Sequence, residues 1–348
     1  MPAAPHRAFE VRDGSQPGEV RRAAVQVARQ LGFDEVATGR VALVATELGS
    51  NLVKHAREGR MLLAPVQAND GAWMVELISL DSGPGIADVR ACLEDGFSTG
   101  GTAGTGIGAV RRLAASFDLF SQPPGGTVIL ARVAAAAPAV AAAAPADPAP
   151  VAANGCLVGA VALCAPGETV CGDAWRASSD ASRAAVMVAD GLGHGPHAAE
   201  ASETATAVFG DDPFGLPSQV LGRVHPALKA TRGAAVALAR IDLEDESIVF
   251  AGVGNVSARI ITGVEDRTLV SQNGTAGLQI RSVQDVRHAW TAHSLLVMHS
   301  DGIAGRWSLA EVPTLLQQHP VVVAAWLLNN HGRARDDATV VVVRRRQL

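Results

Sequence analysis

The sequence predicts an α+β protein built from two domains in tandem, and three observations carry that reading. At 348 residues the chain exceeds the usual size of a single domain. An alanine- and proline-rich stretch, Ala134 to Ala153, interrupts it. On either side, helical periods and apolar strand runs occur together, the pattern of helices laid on sheet.

In the first part, residues 1–133, Glu19 to Leu31 and Thr38 to Ala56 read as helices. MLLAPVQ and AWMVELISL read as strands around an Asn-Asp-Gly turn. A glycine-rich loop follows, then a helix from Gly108 to Phe117 and a last strand, TVILARV. Residues 134–153 read as a semi-rigid linker, because repeated prolines break any alanine helix and bias their neighbours to extended backbone. In residues 154–348 the runs LVGAVALC, AAVMVAD, AAVALARIDL, SIVFAGVG, SARIIT, LLVMHSD and TVVVVRR read as strands. Helices are expected over Ala198 to Val208, Pro217 to Ala230 and Leu309 to Gln317.

Composition narrows the function. Hydrophobic residues make up 48% of the chain and charged residues 18%, enough apolar material for buried cores. A net charge of -5 and a pI of about 6.1 argue against nucleic acid or an anionic membrane as partner, and 4% aromatics leave little on which to stack bases. The N-terminus has no apolar signal core, and the run Val321 to Leu328 is far shorter than the ~20 residues of a membrane helix, so a cytoplasmic location is expected. Cys92, Cys156, Cys164 and Cys171 include no C-x-x-C pair and read as reduced thiols.

Three segments of the first part carry chemistry in their order. In ELGSNLVKHA, Glu47, Asn51 and His55 recur every fourth residue and share one helical stripe. In DSGPGI, Asp81 leaves a strand, and Gly83 and Gly85 allow a ligand to approach the backbone. In STGGTAGTGIGAVRRLA, Gly104, Gly106 and Gly108 lead into a helix whose free N–H groups suit phosphate oxygens. Gly126-Thr127 then opens a strand. This order resembles the GHKL ATPase fold, and the glycine-rich segment most resembles the anti-sigma-factor serine kinases of the RsbT and RsbW group. The resemblance implies a Bergerat-type α/β sandwich that binds ATP, with Mg²⁺ on Asn51, Glu47 as the base for the attacking hydroxyl, and Asp81 as acceptor for the adenine amino group. Gly83, Gly85, Gly104, Gly106, Gly108 and Thr127 would complete the nucleotide site.

In the second part the signal is acidic. Asp173 follows a glycine in CGDAW, Asp190-Gly191 and Asp301-Gly302 end apolar runs, and Asp336 and Asp337 precede another. Carboxylates at strand ends converge on a sheet rim, where their mutual repulsion is relieved by hard divalent cations. DGLGHGPHAAEASE, RGAAVALARID, AGVGNVSARI, HSDGIAGRW and RDDATVVVV follow the order of the SpoIIE/RsbX branch of the protein phosphatase 2C (PPM) family, which they resemble. The resemblance implies an α-β-β-α sandwich using two Mn²⁺ or Mg²⁺ ions. Asp190 would bridge them and act in catalysis, with Asp173, the Gly191 carbonyl, Asp301 and Asp336 as further ligands and Asp337 as a secondary candidate. His194 and His197, in an H-x-x-H loop without a third zinc ligand, are placed near the entrance or in a plain loop.

Together the two resemblances imply a bifunctional regulator of the partner-switching type in bacterial stress signalling. It would phosphorylate and dephosphorylate a serine or threonine on a STAS-domain antagonist of an anti-sigma factor. A sigma factor or a larger stress-signalling assembly extends the partner set. The alternative leaves turnover to the phosphatase alone, with the first domain a nucleotide-sensing or sigma/STAS-docking module.

Overall fold

A short edge strand, β1 (Arg7–Glu10), comes first, and two helices follow it, α1 (Gln16–Gln30) and α2 (Glu35–His55). The computed structural model describes residues 4–68, 71–93, 106–136 and 155–346. These fall into two compact units, one within His6–Pro150 and the other within Val151–Leu348 together with residues 4–5.

In α2 the apolar residues Val41, Val44, Ala45, Leu48 and Leu52 recur at helical spacing and are buried. Asp34 caps the helix by accepting from the Ala37 N–H at 2.7 Å. The strands β2 (Arg60–Gln67), β3 (Trp73–Asp81), β4 (Ser116–Ser121) and β5 (Thr127–Ala134) join β1 in an antiparallel sheet of order β1-β2-β3-β5-β4. Met61, Leu63, Val75, Leu77, Ile129 and Ala131 lie on one face of it and form the core with α1 and α2. A one-turn helix, α3 (Val89–Cys92), and α4 (Gly106–Leu113) complete the unit. The helix expected from Gly108 to Phe117 is therefore shorter, and SFDLFS is strand β4, paired with β5 from Ser116↔Arg132 to Ser121↔Thr127. Gly104 and most of the glycine-rich loop lie outside the described residues.

The second unit is a four-layer sandwich. One antiparallel sheet has the order β15-β10-β9-β8-β7, from β7 (Asp173–Ser179), β8 (Arg183–Gly191), β9 (Ala234–Asp242), β10 (Ser247–Val253) and β15 (Val286–Ala289). The other runs β12-β11-β16-β17-β6, from β6 (Cys156–Leu163), β11 (Ser257–Ile261), β12 (Asp266–Leu269), β16 (Leu295–His299) and β17 (Ala338–Arg345). A small hairpin, β13 (Gly274–Thr275) and β14 (Gln279–Ile280), is tied to the start of β9, where Ala276 and Ala234 exchange backbone hydrogen bonds of 2.9 and 3.0 Å.

Side-chain alternation sorts the layers. Ala184, Val186 and Val188 of β8 point between the sheets with Val158, Ala237, Phe250, Met298 and Val341. Ala185, Met187 and Ala189 point outward beneath α5 (Pro196–Asp211) and α6 (Pro217–Ala227). On the other side α7 (Pro320–His331) packs on β6 and β17. The apolar run Val321 to Leu328 is thus a buried helix, and of the helix expected over Leu309 to Gln317 only a 3₁₀ turn, Pro313–Gln317, forms. Among the described residues no helix is long and apolar enough to cross a membrane.

Candidate functional sites in the two units

In the first unit, Glu47 and Asn51 project from α2 toward the start of α4. A Cβ on Gly106 would lie 2.9 Å from Glu47 Oε2 and 3.7 Å from Asn51 Oδ1, so the ends of both side chains reach the start of α4. Gly108 is buried one turn into α4. The Asn51 Nδ2 donor is buried with no partner among the described residues. A buried amide left unpaired is costly, and such donors in native structures commonly face a ligand position.

Asp81 ends β3 in register with Thr127 of β5. Its Oδ1 accepts from the Gly83 N–H at 2.7 Å. Burial raises its pKa against the hydrogen bonds from Gly83 and Thr127, which lower it. Gly85 folds back on Gln122 and Pro123. Ser121, which sequence reasoning missed together with β4, ties this corner. Its Oγ accepts from the Ile86 N–H at 2.7 Å and lies 2.9 Å from Thr127 Oγ1. Glu47, Asn51 and Gly106 thus meet at one place, while Asp81, Gly83, Gly85 and Thr127 form the loop corner at the end of β3.

In the second unit, Asp173 and Asp190 face each other across the β7–β8 ladder. Asp301 lies two residues past the end of β16, after Ser300, and Asp336 two residues ahead of β17. Burial, then the charges of Asp173, Asp301 and Asp336, push the Asp190 carboxyl up to about 8. Asp173 is pushed up to about 7, chiefly by burial, against a hydrogen bond from Ser300. Burial and then the Asp336 charge raise Asp301 as well, so these carboxylates stand close enough to repel in one acidic rim, the donor chemistry of hard divalent cations. Gly191 closes one side: a Cβ there would sit 2.0 Å from the Ala198 carbonyl, so glycine alone lets α5 cross the end of β8.

Two supporting residues were not singled out from sequence. Ser300 Oγ donates to Asp173 Oδ2 at 2.6 Å and accepts from the Thr339 N–H at 3.0 Å. Asn255 Nδ2 donates to Asp301 Oδ2 at 2.7 Å. Asn255 stands inside AGVGNVSARI, a segment whose order was legible although its role was not. Asp337 is buried, raises the Asp173 carboxyl by its charge, and braces two backbone segments. Its Oδ1 accepts from the Ala165 N–H at 2.8 Å and its Oδ2 from the Gly172 N–H at 2.9 Å. His194 Nδ1 lies 2.7 Å from Glu168 Oε1, and His197 is exposed beside Glu200.

Residues 12–133 match the family model of the histidine kinase-like ATPase domain, and residues 180–346 match that of stage II sporulation protein E (SpoIIE). Over 111 residues the chain is 39% identical to the serine/threonine-protein kinase RsbT of Bacillus subtilis (strain 168), covering 32% of this chain and 83% of RsbT. The chain belongs to the RsbT family in its first unit and carries a SpoIIE phosphatase domain in its second. The phosphoserine phosphatase RsbX of the same organism is 30% identical over 90 residues, 26% of this chain and 45% of RsbX. Among solved structures, RsbX in complex with magnesium matches with a TM-score of 0.51 at 20% identity, covering 56% of this chain and 98% of that one, a likeness of fold. A chain solved in work on the bacterial stressosome matches with a TM-score of 0.51 at 30% identity, covering 54% of this chain and 99% of that one.

Proposed function

We propose that the chain is a partner-switching regulator whose two units act in opposite directions on one protein. The first would transfer phosphate from ATP to a serine or threonine of a STAS-domain antagonist, and the second would remove it. The observation that carries the reading is the acidic rim of Asp173, Asp190, Asp301 and Asp336, joined in one chain to an RsbT-type unit with Glu47 and Asn51 under the first turn of α4. The names of RsbT and RsbX, a kinase and a phosphoserine phosphatase, support the opposed pair.

The rim would hold two Mn²⁺ or Mg²⁺ ions, with Asp190, Asp173, Asp301, Asp336 and the Gly191 carbonyl as the ligands. When bound, such ions supply a hydroxide at neutral pH and neutralise charge developing on the phosphoryl oxygens. The protein's own part is orientation. Ser300 holds Asp173 by its hydroxyl proton, Asn255 holds Asp301 by its amide, and the Asp337 N–H donates to Asp336 Oδ1 at 2.9 Å. No side-chain nucleophile is needed.

In the first unit, the Asn51 Nδ2 donor, buried without a partner among the described residues, suits an acceptor oxygen of a bound nucleotide, and Asn51 Oδ1, beside Gly106, is the atom that would hold Mg²⁺. Glu47 would accept the proton of the incoming hydroxyl, Asp81 would accept from the adenine amino group, and Gly104, Gly106 and Gly108 would present backbone N–H groups to phosphate. Thr127, paired with Asp81 and Ser121, would hold the base pocket closed.

Intact-mass measurement of a STAS partner against time tests this. Full-length protein with ATP, Mg²⁺ and Mn²⁺ should leave the partner partly phosphorylated. Asp190→Ala should drive it to near completion, and Glu47→Ala should leave it bare but still able to be stripped if phosphorylated beforehand. An Asp190→Ala protein that yields no more phosphorylated partner than wild type would show that the two units do not share a substrate.

A further inference from the structure

The four cysteines show no metal-binding spacing in sequence, yet the fold brings two of them to one place. Cys164 follows β6 and Cys171 precedes β7, so the loop between those strands returns one thiol to the other. The two sulfurs and a carboxylate oxygen of Asp337 all lie within 4.8 Å of one another. Cys171 and Asp337 are buried and Cys164 is half-buried. The carboxylate is fixed from both sides: it accepts from the N–H of Ala165, the residue after Cys164, and of Gly172, the residue after Cys171. Three candidate ligands are thus tied into one ring by backbone hydrogen bonds, the outer-shell orientation that metal sites share.

The carboxylate decides what the ring suits. A disulfide between the thiols would make no use of an anionic group beside it. Two sulfurs with one oxygen form a donor set for a borderline-soft divalent cation, and a tetrahedral site with zinc–sulfur bonds of about 2.3 Å and zinc–oxygen bonds of about 2.0 Å holds its ligands about 3.5 Å apart. With all three atoms within 4.8 Å of one another, the ring would need to contract by no more than about 1.3 Å to meet that spacing.

We propose that Cys164, Cys171 and Asp337 form a site for a thiophilic divalent cation such as Zn²⁺, separate from the oxygen-only rim of Asp173, Asp190, Asp301 and Asp336. Each thiol gives up its proton to solvent on binding, and a water fills the fourth position. The cation ties together the end of β6, the start of β7 and the start of β17, the strand ends that carry Asp173 and Asp336. Its role is to hold those ends in register rather than to take part in turnover.

Cobalt is the probe. Full-length protein is stripped with chelator, kept reduced, placed in excess Mg²⁺ to satisfy oxygen-only sites, and titrated with Co²⁺. A thiolate-to-cobalt charge-transfer band in the near ultraviolet should rise to one equivalent per chain and disappear as Zn²⁺ replaces cobalt. Cys164→Ser and Cys171→Ser should each abolish the band, while Cys92→Ser keeps it. A second measurement avoids any folding defect of the variants: alkylation of Cys164 in the wild-type chain should slow at least tenfold with Zn²⁺ and not with Mg²⁺. No band from the reduced wild-type protein, a band surviving in the Cys164→Ser/Cys171→Ser chain, or unchanged Cys164 alkylation overturns the proposal. None of these readouts depends on either unit's turnover.

Discussion

Replacing Asp190 with asparagine keeps the size of the side chain and removes the charge at the centre of the acidic rim. In the metal-free fold this carboxyl is pushed up from 3.8 to about 8, first by burial and then by Asp173, Asp301 and Asp336. The unfolded carboxyl ionises freely at pH 7 while the folded one stays protonated, which disfavours the fold by about 4 kcal/mol. Asp173, itself pushed up to about 7, relaxes once its neighbour is neutral, so the same repulsion is not counted twice. Halving the figure for this sharing leaves Asp190→Asn more stable by about 2 kcal/mol, or about 4–8 °C for a unit of this size.

The pH course follows from a folded pKa above the unfolded one. The contribution of Asp190 to the stability of the metal-free protein is fully present below 3.8 and is lost as pH rises toward about 8. The advantage of Asp190→Asn should therefore be absent near pH 3.8 and grow up to about 8. Divalent metal reverses the ranking. Mg²⁺ at about a hundred times its dissociation constant should add about 2.7 kcal/mol to wild type and much less to the variant, which has lost its shared ligand. Scanning calorimetry of the full chain, with chelator and then with Mg²⁺, reads both effects in the transition of the second unit. A metal-free Asp190→Asn protein no more stable than wild type, or one with an undiminished Mg²⁺ shift, would refute the reading of a repelling, cation-neutralised rim.

Three further outcomes are expected. Asn255→Ala frees Asp301 from its 2.7 Å hydrogen bond and should lower turnover of an aryl phosphate, or the apparent metal affinity, by about 10- to 100-fold, read from a Mn²⁺ activation curve. Gly106→Ala puts a methyl against Glu47 Oε2 and should slow phosphoryl transfer by about 100-fold, with a smaller loss of ATP affinity by calorimetry. Glu76 is buried between His6 and Arg132, and although burial alone would raise its carboxyl, those two partners hold it down to about 2. Glu76→Gln should cost the first unit about 3 kcal/mol at neutral pH, a difference that fades as pH falls from 4.5 toward about 2 in denaturant titrations.

The strand-and-carboxylate pattern was legible because each signal is local. An apolar run ending in Asp-Gly states both the strand and its end, and Asp190 and Asp301 lie where that pattern puts them, while Asp336 stands ahead of the run that forms β17. The stripe of Glu47, Asn51 and His55 was legible for the same reason, since α2 keeps one period over its whole length. Elements whose identity depends on a distant partner were not. Ala114 and Ala115 offer no break after α4, so a helix reading runs on to Phe117, and only pairing with β5 turns Ser116–Ser121 into β4. β7 is an edge strand with mostly half-buried residues and so lacks an apolar run. α7 is apolar on nearly every face because it packs all round, which erases the amphipathic period by which a surface helix is found.

The supporting shell of the second site shows where sequence reading stops in physical terms. Asp336 and Asp337 are adjacent and chemically identical, and only the family resemblance ranks Asp336 as a ligand and Asp337 as a secondary candidate. Their difference arises in the folded chain: Asp337 spends both carboxylate oxygens on the N–H groups of Ala165 and Gly172, 172 and 165 residues away, while Asp336 stays half-buried at the rim. Ser300 is likewise an ordinary serine until β16 and β17 pair, which sets its hydroxyl between Asp173 and the Thr339 N–H. Cys164 and Cys171 meet only because β6 and β7 are joined by a loop that folds back on itself. Ligands can be read from local pattern, but the groups that aim them are fixed by strand register, and register is a property of the assembled sheets. If the rim works as proposed, Asp337→Asn should therefore fail differently from Asp336→Asn. Asp336→Asn should lose metal affinity with the fold intact, whereas Asp337→Asn should lower the thermal stability of the second unit even with chelator present. Equal stability of the two variants without metal would place Asp337 at the rim beside Asp336 and reverse the assignment.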